Sequence, residues 1–492
     1  MTSWSVVVPT VGRPCLTDLL ADLARQQVQP DAVYVVDDRP SPETPLDVGT
    51  ADVVVLRGGG HGPAAARNTG WRTASTEWIA FLDDDVRLPA DWSELLVEDL
   101  RQQPDLVAAV QGRIVVPRAA GRRPTDWERS TAGLENAKWA TADMAYRRAA
   151  LEEVSGFDER YPRAYREDAE LALRVRRHGW RLVRGRRHVN HPVRQENFWV
   201  SVRVQRGNAD DALLRAVYGR HWRELAECPP GRFKWHLATV ATAGVALVGA
   251  LLGRRRTAAA GLAGWLALTA DFAWRRIAPG PRTGDELRRM TVTSAVVPFA
   301  AVRHRLRGWR QHRGSVEWPG PARAVLFDRD GTLVDDVPYN GDPTKVVPVP
   351  GAEAAVARLR KAGLRIGVVT NQSGIGRGLI SAADADAVNR RIDELLGPFD
   401  TWQLCPHVAS DGCDCRKPAA GLVVAAAEQL GVPPEQVVVV GDIGSDIAAA
   451  RAAGARSVLV PNGRTRLEEI EQADIVAPDL GAAVDHVLGG QR

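Results

Sequence analysis

Three groups of side chains in this 492-residue chain have the types and spacing that chemistry requires. Asp328-Arg329-Asp330 sets two carboxylates two residues apart behind the apolar run Ala324 to Phe327. In an extended segment, residues i and i+2 point the same way, so both carboxylates can face one substrate phosphate. Gly441-Asp442 follows another apolar run, Val437 to Val440, with Asp446 one helical turn on. Thr370-Asn371 ends a third run, and Arg416-Lys417-Pro418 supplies cations. Phosphoryl transfer needs little beyond such parts: a nucleophilic carboxylate, an acid/base, a hard cation on oxygen ligands and a lysine on the phosphate. The second group, Cys405, His407, Cys413 and Cys415, brings three thiols and an imidazole into eleven residues, a set able to close a tetrahedral structural Zn²⁺ site. In the third, Asp83-Asp84-Asp85 follows Trp78 to Leu82 and suits a divalent cation bridging a diphosphate. Glu167-Asp168 opens a helical stretch, where a carboxylate within reach of an acceptor hydroxyl serves as a general base. Asp37-Asp38 is placed to hydrogen-bond a ribose or a base.

Taken singly, each has a plainer explanation. An Asp at a strand end is often a helix N-cap, and Glu-Asp at a helix start complements the macrodipole. Four acidic or hydroxyl positions in order with a lysine make coincidence a poor account of the C-terminal group.

The elements that must hold these groups follow from the apolar pattern. Buried strands are predicted at 5–9, 32–36, 53–56 and 78–82, with helices at 18–27 and 63–73 between them. Alternation restarts after Trp318-Pro319-Gly320-Pro321, with strands at 324–327, 365–369, 437–440 and 457–460 and helices at 352–362, 384–396, 421–430 and 446–453. Such alternation implies parallel sheets with right-handed crossovers, and open α/β sheets bind ligands at the carboxyl ends of their strands, where the acidic residues fall. The predicted organisation is a first α/β domain over 1–230, a basic helical connector over 231–320 and a second α/β domain over 321–492.

Composition is that of a globular protein, with 45% hydrophobic and 25% charged residues, which excludes a disordered, collagenous or coiled-coil chain. Five cysteines are too few for a secreted disulfide framework, and the first residues read straight into a strand, so a cytoplasmic protein is expected. Charge is uneven: residues 201–320 carry 20 Lys and Arg against 8 Asp and Glu. This stretch has no helix-turn-helix, zinc-finger or RNP signature, so no nucleic-acid partner is expected. Trp235 to Leu252 and Thr257 to Ala270 are uncharged, with Arg254-Arg255-Arg256 between them. The second run falls short of the ~20 residues a membrane span needs, and a two-pass hairpin would carry three arginines across the membrane, against the positive-inside tendency. The expectation over 231–280 is a helical pair packed on the protein, or peripheral on an anionic membrane surface at the inner face of the plasma membrane.

From residue 322 to about 480 the ordered motifs resemble the haloacid-dehalogenase-like (HAD) phosphatases. The resemblance implies Asp328 as the nucleophile, Asp330 as the acid/base, Thr370 and Lys417 on the phosphoryl group, and Mg²⁺ on Asp328, the Asp330 carbonyl and Asp442, supported by Asp446. The zinc loop running into Cys415-Arg416-Lys417-Pro418, with Thr370-Asn371-Gln372-Ser373-Gly374-Ile375-Gly376-Arg377-Gly378, looks like the D-glycero-D-manno-heptose 1,7-bisphosphate 7-phosphatases. The phosphatase domain of histidinol-phosphate enzymes shares much of this pattern. A sugar phosphate is the implied substrate, with Asn371, Arg377 and Arg416 among its contacts. Residues 3 to about 195 resemble the family 2 inverting glycosyltransferases of GT-A fold, through Val6 to Thr10, Val35 to Asp38, Gly62 to Asn68, the triple Asp and Glu167-Asp168. That resemblance implies a nucleotide-sugar donor contacted by Thr10, Asp38 and Arg67, with Glu167 also in the binding site. It further implies Mg²⁺ or Mn²⁺ on Asp83 and Asp85, and Asp168 as the base; the acceptor stays open. His191, or His188, stands where some relatives supply a further ligand. The processive QxxRW signature is absent, so single-sugar transfer is expected. The implied fold is two Rossmann-like α/β domains, GT-A and HAD, joined by the basic connector.

Overall fold

The computed structural model describes residues 2–101, 103–313, 315, 317–318 and 320–488, and it divides into two compact units, Met1–Trp318 and Pro319–Arg492. The basic stretch predicted as a separate connector therefore belongs to the first unit as far as Trp318.

The first unit is built on β1 (Trp4–Thr10), β2 (Ala32–Asp37), β3 (Val54–Arg57), β4 (Trp78–Leu82), β5 (Val107–Val115), β6 (Asp143–Arg147) and β7 (Arg181–Asn190), in the order β3-β2-β1-β4-β6-β5-β7. The first four strands pair in parallel, while β6 runs antiparallel to both β4 and β5. β1 and β4 are buried along their whole length because both faces of the sheet are covered. Alternate residues feed opposite cores, Val6, Val8 and Trp78 on one face and Val7, Ile79 and Phe81 on the other. The strand order reverses between β1 and β4, so Thr10 and Asp83-Asp84-Asp85 meet at the crevice where such sheets bind ligands.

Seven helices of this unit bear on function: α1 (Pro63–Thr73), α2 (Asp126–Ala132), α3 (Glu167–Arg177), α4 (Asn208–Tyr218), α5 (Phe233–Leu251), α6 (Arg255–Ile277) and α7 (Gly284–Gln311). α5 and α6 form an antiparallel hairpin, and α7 packs against α4 and the hairpin.

The second unit is a five-stranded, fully parallel sheet of β8 (Ala324–Phe327), β9 (Arg365–Asn371), β10 (Thr401–Cys405), β11 (Val437–Gly441) and β12 (Arg456–Leu459), in the order β10-β9-β8-β11-β12. The unbroken valine run of β11 suits a strand buried on both faces. Its order reverses between β8 and β11, which end in Asp328 and Asp442.

Candidate active sites

In the second unit, parallel pairing brings the ends of β8, β9 and β11 to one edge. Lys417 Nζ donates to Asp328 Oδ1 at 2.6 Å and to the Val369 carbonyl at 2.8 Å, and lies 2.6 Å from Asp446 Oδ1. Carboxylate oxygens of Asp328, Asp442 and Asp446 lie within 4.8 Å of one another, all buried. Burial pushes the Asp328 carboxyl up to about 8 despite Lys417, and pushes Asp442 up to about 6, helped by Asp446. Burial alone would lower Lys417, but Asp328 and Asp446 hold it above its ordinary value. One cation among three buried carboxylates leaves negative charge uncompensated, and an oxygen-only donor set of this kind fits Mg²⁺. Asp442 is oriented by Thr332 Oγ1 at 3.2 Å and by Asn462 Nδ2 at 2.6 Å. Gly331 makes the turn between them at φ +83, where a Cβ would come within 2.5 Å of Asp442.

Asp330 stands apart from this cluster. Arg329 grips it with two N–H donors at 3.0 and 2.9 Å, and Gln372 Nε2 donates to it at 2.7 Å and to Thr370 Oγ1 at 2.9 Å. Two expected substrate contacts have these surroundings. Asn371 is committed to the backbone of Lys417, donating to its carbonyl and accepting from its amide, both at 3.0 Å, so it positions the lysine. Arg377 is exposed at the end of the short helix Ser373–Gly376. Arg416 donates to the His407 carbonyl at 3.2 Å, tying the lysine loop to the cysteine loop. Gln372, Arg329 and Asn462 were not singled out as site residues; Asn462 follows β12, and a polar residue behind a fifth parallel strand was the available signal.

The thiols of Cys405, Cys413 and Cys415 and Nδ1 of His407 lie 3.3–3.7 Å apart along five edges. A tetrahedron with metal–sulfur bonds of about 2.3 Å has edges of about 3.8 Å, so the geometry is that of a four-coordinate site. Cys405 ends β10 beside Asn371 of β9, and Cys415 is two residues from Lys417. A metal here would stiffen the loop that carries the lysine.

In the first unit, Asp83, Asp85 and His191 offer ligand atoms within 4.8 Å of one another. His191 Nε2 is 3.6 Å from Asp85 Oδ1, while its Nδ1 lies 3.3 Å from the Pro192 carbonyl, an arrangement that leaves Nε2 free to ligate. His188 lies within β7 and is not part of this cluster. Oxygen and imidazole donors together fit Mg²⁺ or Mn²⁺. Burial, followed by Asp83, raises Asp85 above the usual carboxylate range, against His191 and Arg194. Arg67 is buried and bridges the site, donating to Asp83 Oδ1 and to Glu167 Oε1, both at 2.9 Å. Burial and Asp168 push Glu167 up to about 8, and burial raises Asp168, whose side chain is half-buried at the start of α3.

The residues expected to contact the nucleotide have the following partners within the protein. Thr10 Oγ1 donates to Asp84 Oδ2 at 2.6 Å and accepts from the Gly12 amide. Asp38 accepts the amides of Gly60, His61 and Gly62 at 2.9–3.0 Å, so it shapes the glycine turn before α1. Arg67 pairs with Glu167 through Nη1 and with Asp83 through Nη2, while its Nε and Oε2 of Glu167 have no hydrogen-bond partner among the described residues.

Among known families, the model for glycosyl transferase family 2 matches residues 5–168, and the HAD-hydrolase-like model matches residues 414–483. A D-glycero-beta-D-manno-heptose-1,7-bisphosphate 7-phosphatase of Pseudomonas putida is 38% identical over 174 residues, 34% of this chain and 99% of the relative. The corresponding protein of Pseudomonas aeruginosa is 36% identical over 172 residues, 33% of this chain and 97% of the relative. The crystal structure of D,D-heptose 1,7-bisphosphate phosphatase from Bordetella bronchiseptica, complexed with magnesium and phosphate, is 31% identical with a TM-score of 0.32, covering 34% of this chain and 99% of that one. A mannosyltransferase of Pyrobaculum calidifontis in complex with GDP-Man and Mn²⁺ is 21% identical with a TM-score of 0.39, covering 62% of this chain and 86% of that one.

Proposed function

Because the chain belongs to the HAD-like phosphatases through its C-terminal unit and carries a glycosyl transferase family 2 domain at its N-terminus, we propose a bifunctional enzyme that hydrolyses the 7-phosphate of a heptose 1,7-bisphosphate and transfers a sugar from a nucleotide-sugar with inversion. The observation that carries the phosphatase reading is Lys417 held 2.6 Å from both Asp328 and Asp446, with Asp442 at metal-sharing distance.

An Asp328 oxygen attacks phosphorus and forms an acyl phosphate while the sugar oxygen departs, taking a proton from Asp330 once that side chain, protonated, has turned from Arg329 and Gln372 toward the leaving oxygen. Asp330, now a carboxylate, removes a proton from water as that water attacks the acyl phosphate, which frees inorganic phosphate and restores Asp328. Lys417 and Thr370 neutralise and orient the phosphoryl oxygens. Mg²⁺ on Asp328, Asp442 and the Asp330 carbonyl supplies charge neutralisation of the dianion. Zn²⁺ on Cys405, His407, Cys413 and Cys415 is structural, holding the Lys417 loop.

In the transferase, Asp168 takes the proton of the acceptor hydroxyl as its oxygen attacks the anomeric carbon opposite the departing nucleoside diphosphate. A divalent cation on Asp83, Asp85 and His191 supplies neutralisation of that diphosphate. Linkage in one chain supports a shared pathway, with the phosphatase helping to make an activated heptose donor. The test is phosphate release across sugar phosphates, heptose 1,7-bisphosphate and histidinol phosphate included, alongside turnover of nucleotide-sugars. Preference for histidinol phosphate would overturn the substrate assignment, and use of common hexose donors alone would overturn the shared pathway.

A further inference from the structure

The hairpin α5–α6 is packed inside out. Its seam is made by small residues: a Cβ on Gly261 would meet the backbone of Ala246 at 2.4 Å, and one on Gly249 that of Ala258 at 2.7 Å. Thr239 and Thr242 return their hydroxyls to the carbonyls of Trp235 and Ala238. The outer surface is apolar, with Leu247, Leu251, Leu252 and Trp274 each at least 62% exposed. Close approach through Gly, Ala and Thr with Leu and Val outward is how helices pack in lipid. α5 is long and apolar enough to cross a membrane, with only 17% of its window buried; nineteen residues extend about 28 Å, close to the ~30 Å hydrocarbon core. Both ends of the pair are basic, Arg254 to Arg256 at the tip and Arg232, Lys234, Arg275 and Arg276 at the root. Trp235 and Trp274 lie near the root, where interfacial aromatics sit.

The root is wired to the transferase site. Arg194 Nε lies 3.0 Å from Asp85 Oδ2, Trp127 Nε1 donates to the Arg194 carbonyl at 2.9 Å, and the next residue back, Asp126, accepts from Arg276 of α6 at 2.8 Å. Beside the root a cavity of about 250 Å³ is lined by Arg166, Arg223, Arg232, Phe233, Gln205 and Asn208, among others. Three guanidiniums, of Arg166, Arg223 and buried Arg305, converge on one carboxylate, Asp211. Burial and Arg223 hold Arg305 below its ordinary value. Cation is in excess there, and Arg166 immediately precedes Glu167 and Asp168.

We propose that α5–α6 embeds in a lipid bilayer and that the cavity at its root takes the phosphate headgroup of an anionic lipid, so that the transferase works on a membrane-borne acceptor. The last clause alone rests on the transferase reading, and the test runs without any sugar nucleotide, so the two readings fail separately. Full-length protein is floated with phosphatidylcholine vesicles, with and without about a tenth phosphatidic acid. It should float with both, with a gain of about tenfold from phosphatidic acid. R223A/R232A should keep flotation on phosphatidylcholine and abolish the gain, since two arginines at about fivefold each account for all of it. L247E/L251E should abolish both. Should that variant fail to fold, quenching of wild-type fluorescence by acyl-brominated lipid, lost in W235F/W265F/W274F, reads the same insertion. Protein that stays unfloated, a gain that survives R223A/R232A, thermal stabilisation by inorganic phosphate with no phosphatidic acid gain, or a vesicle-free dimer that L247E/L251E turns into monomers would each overturn the proposal.

Discussion

Replacing Lys417 by methionine removes the one cation from a cluster in which Asp328, Asp442 and Asp446 are all buried. The lysine is itself 4% exposed and sits 2.6 Å from two of those carboxylates, so solvent screens the loss little. Taking one partner from a buried ion pair costs about 3–5 kcal/mol, mostly because the remaining charge is stranded. For a unit of this size that is a fall of about 10 °C in melting temperature. The reasoning also fixes the sign of a second change. K417M/D446N removes a stranded carboxylate along with the lysine and should recover about 2 kcal/mol, a non-additivity expected only of groups in contact. Calorimetry of the wild type and both variants in chelator gives these values, and phosphate release should be lost in both. If K417M melts within about 1 kcal/mol of wild type, or if the double variant is no more stable than the single one, Lys417 is not what neutralises this site.

C413S should lower bound zinc from one per chain to near zero, by elemental analysis, and destabilise the second unit, since ligand loss is folding loss at such a site. R67M strands Glu167 and frees Asp83; it should cost the first unit about 3 kcal/mol and cut nucleotide-sugar turnover about 10²-fold through misplacement, with phosphate release unchanged. Glu167 has its folded value raised to about 8 from an ordinary 4.5. Its stabilising proton is therefore fully held below about pH 4.5, and the contribution is lost as pH rises through about 8, on the order of a few kcal/mol. E167Q should flatten the melting profile of the first unit between about pH 4.5 and 8; an unchanged slope would remove Glu167 as its source.

The legible part of the fold was the part written in apolar runs. β1, β2, β4, β8 and β11 are short Val- and Ile-rich segments ending in acidic or glycine turns, and pattern alone locates them and the carboxylates behind them. β7 was missed because it carries Arg181, Arg184, Arg186 and Arg187 at a sheet edge. Arg187 is nevertheless fully buried, satisfied by Asp99 and Asp143, residues 88 and 44 positions away in sequence, and no local window contains that pairing. β10, Thr-Trp-Gln-Leu-Cys, was missed because it is short, polar at Thr401 and Gln403, and only partly buried at a sheet edge. The same limit hides the partners of the candidate site residues. Motif order places Thr10, Asp38 and Asn371 at strand ends and Arg67 on α1, but their hydrogen-bond partners, Asp84, the Gly60–Gly62 amides, the Lys417 peptide and the Asp83 and Glu167 carboxylates, are all remote in sequence. The basic segment reads differently once folded: the second of its two uncharged runs is too short for a membrane span, yet the two pair through glycines spaced along both helices.

The central claim is that Asp328 carries the phosphoryl group. Its most direct measurement is rapid-quench mass spectrometry of the peptide containing Asp328, after D330N protein is mixed with heptose 1,7-bisphosphate and Mg²⁺. D330N weakens both protonation of the leaving oxygen and activation of water, so phosphate release should slow, and the adduct that forms and outlives its hydrolysis should sit on Asp328 and be absent from D328N. Continued phosphate release with no adduct on that peptide, or an adduct on another side chain, would contradict the account.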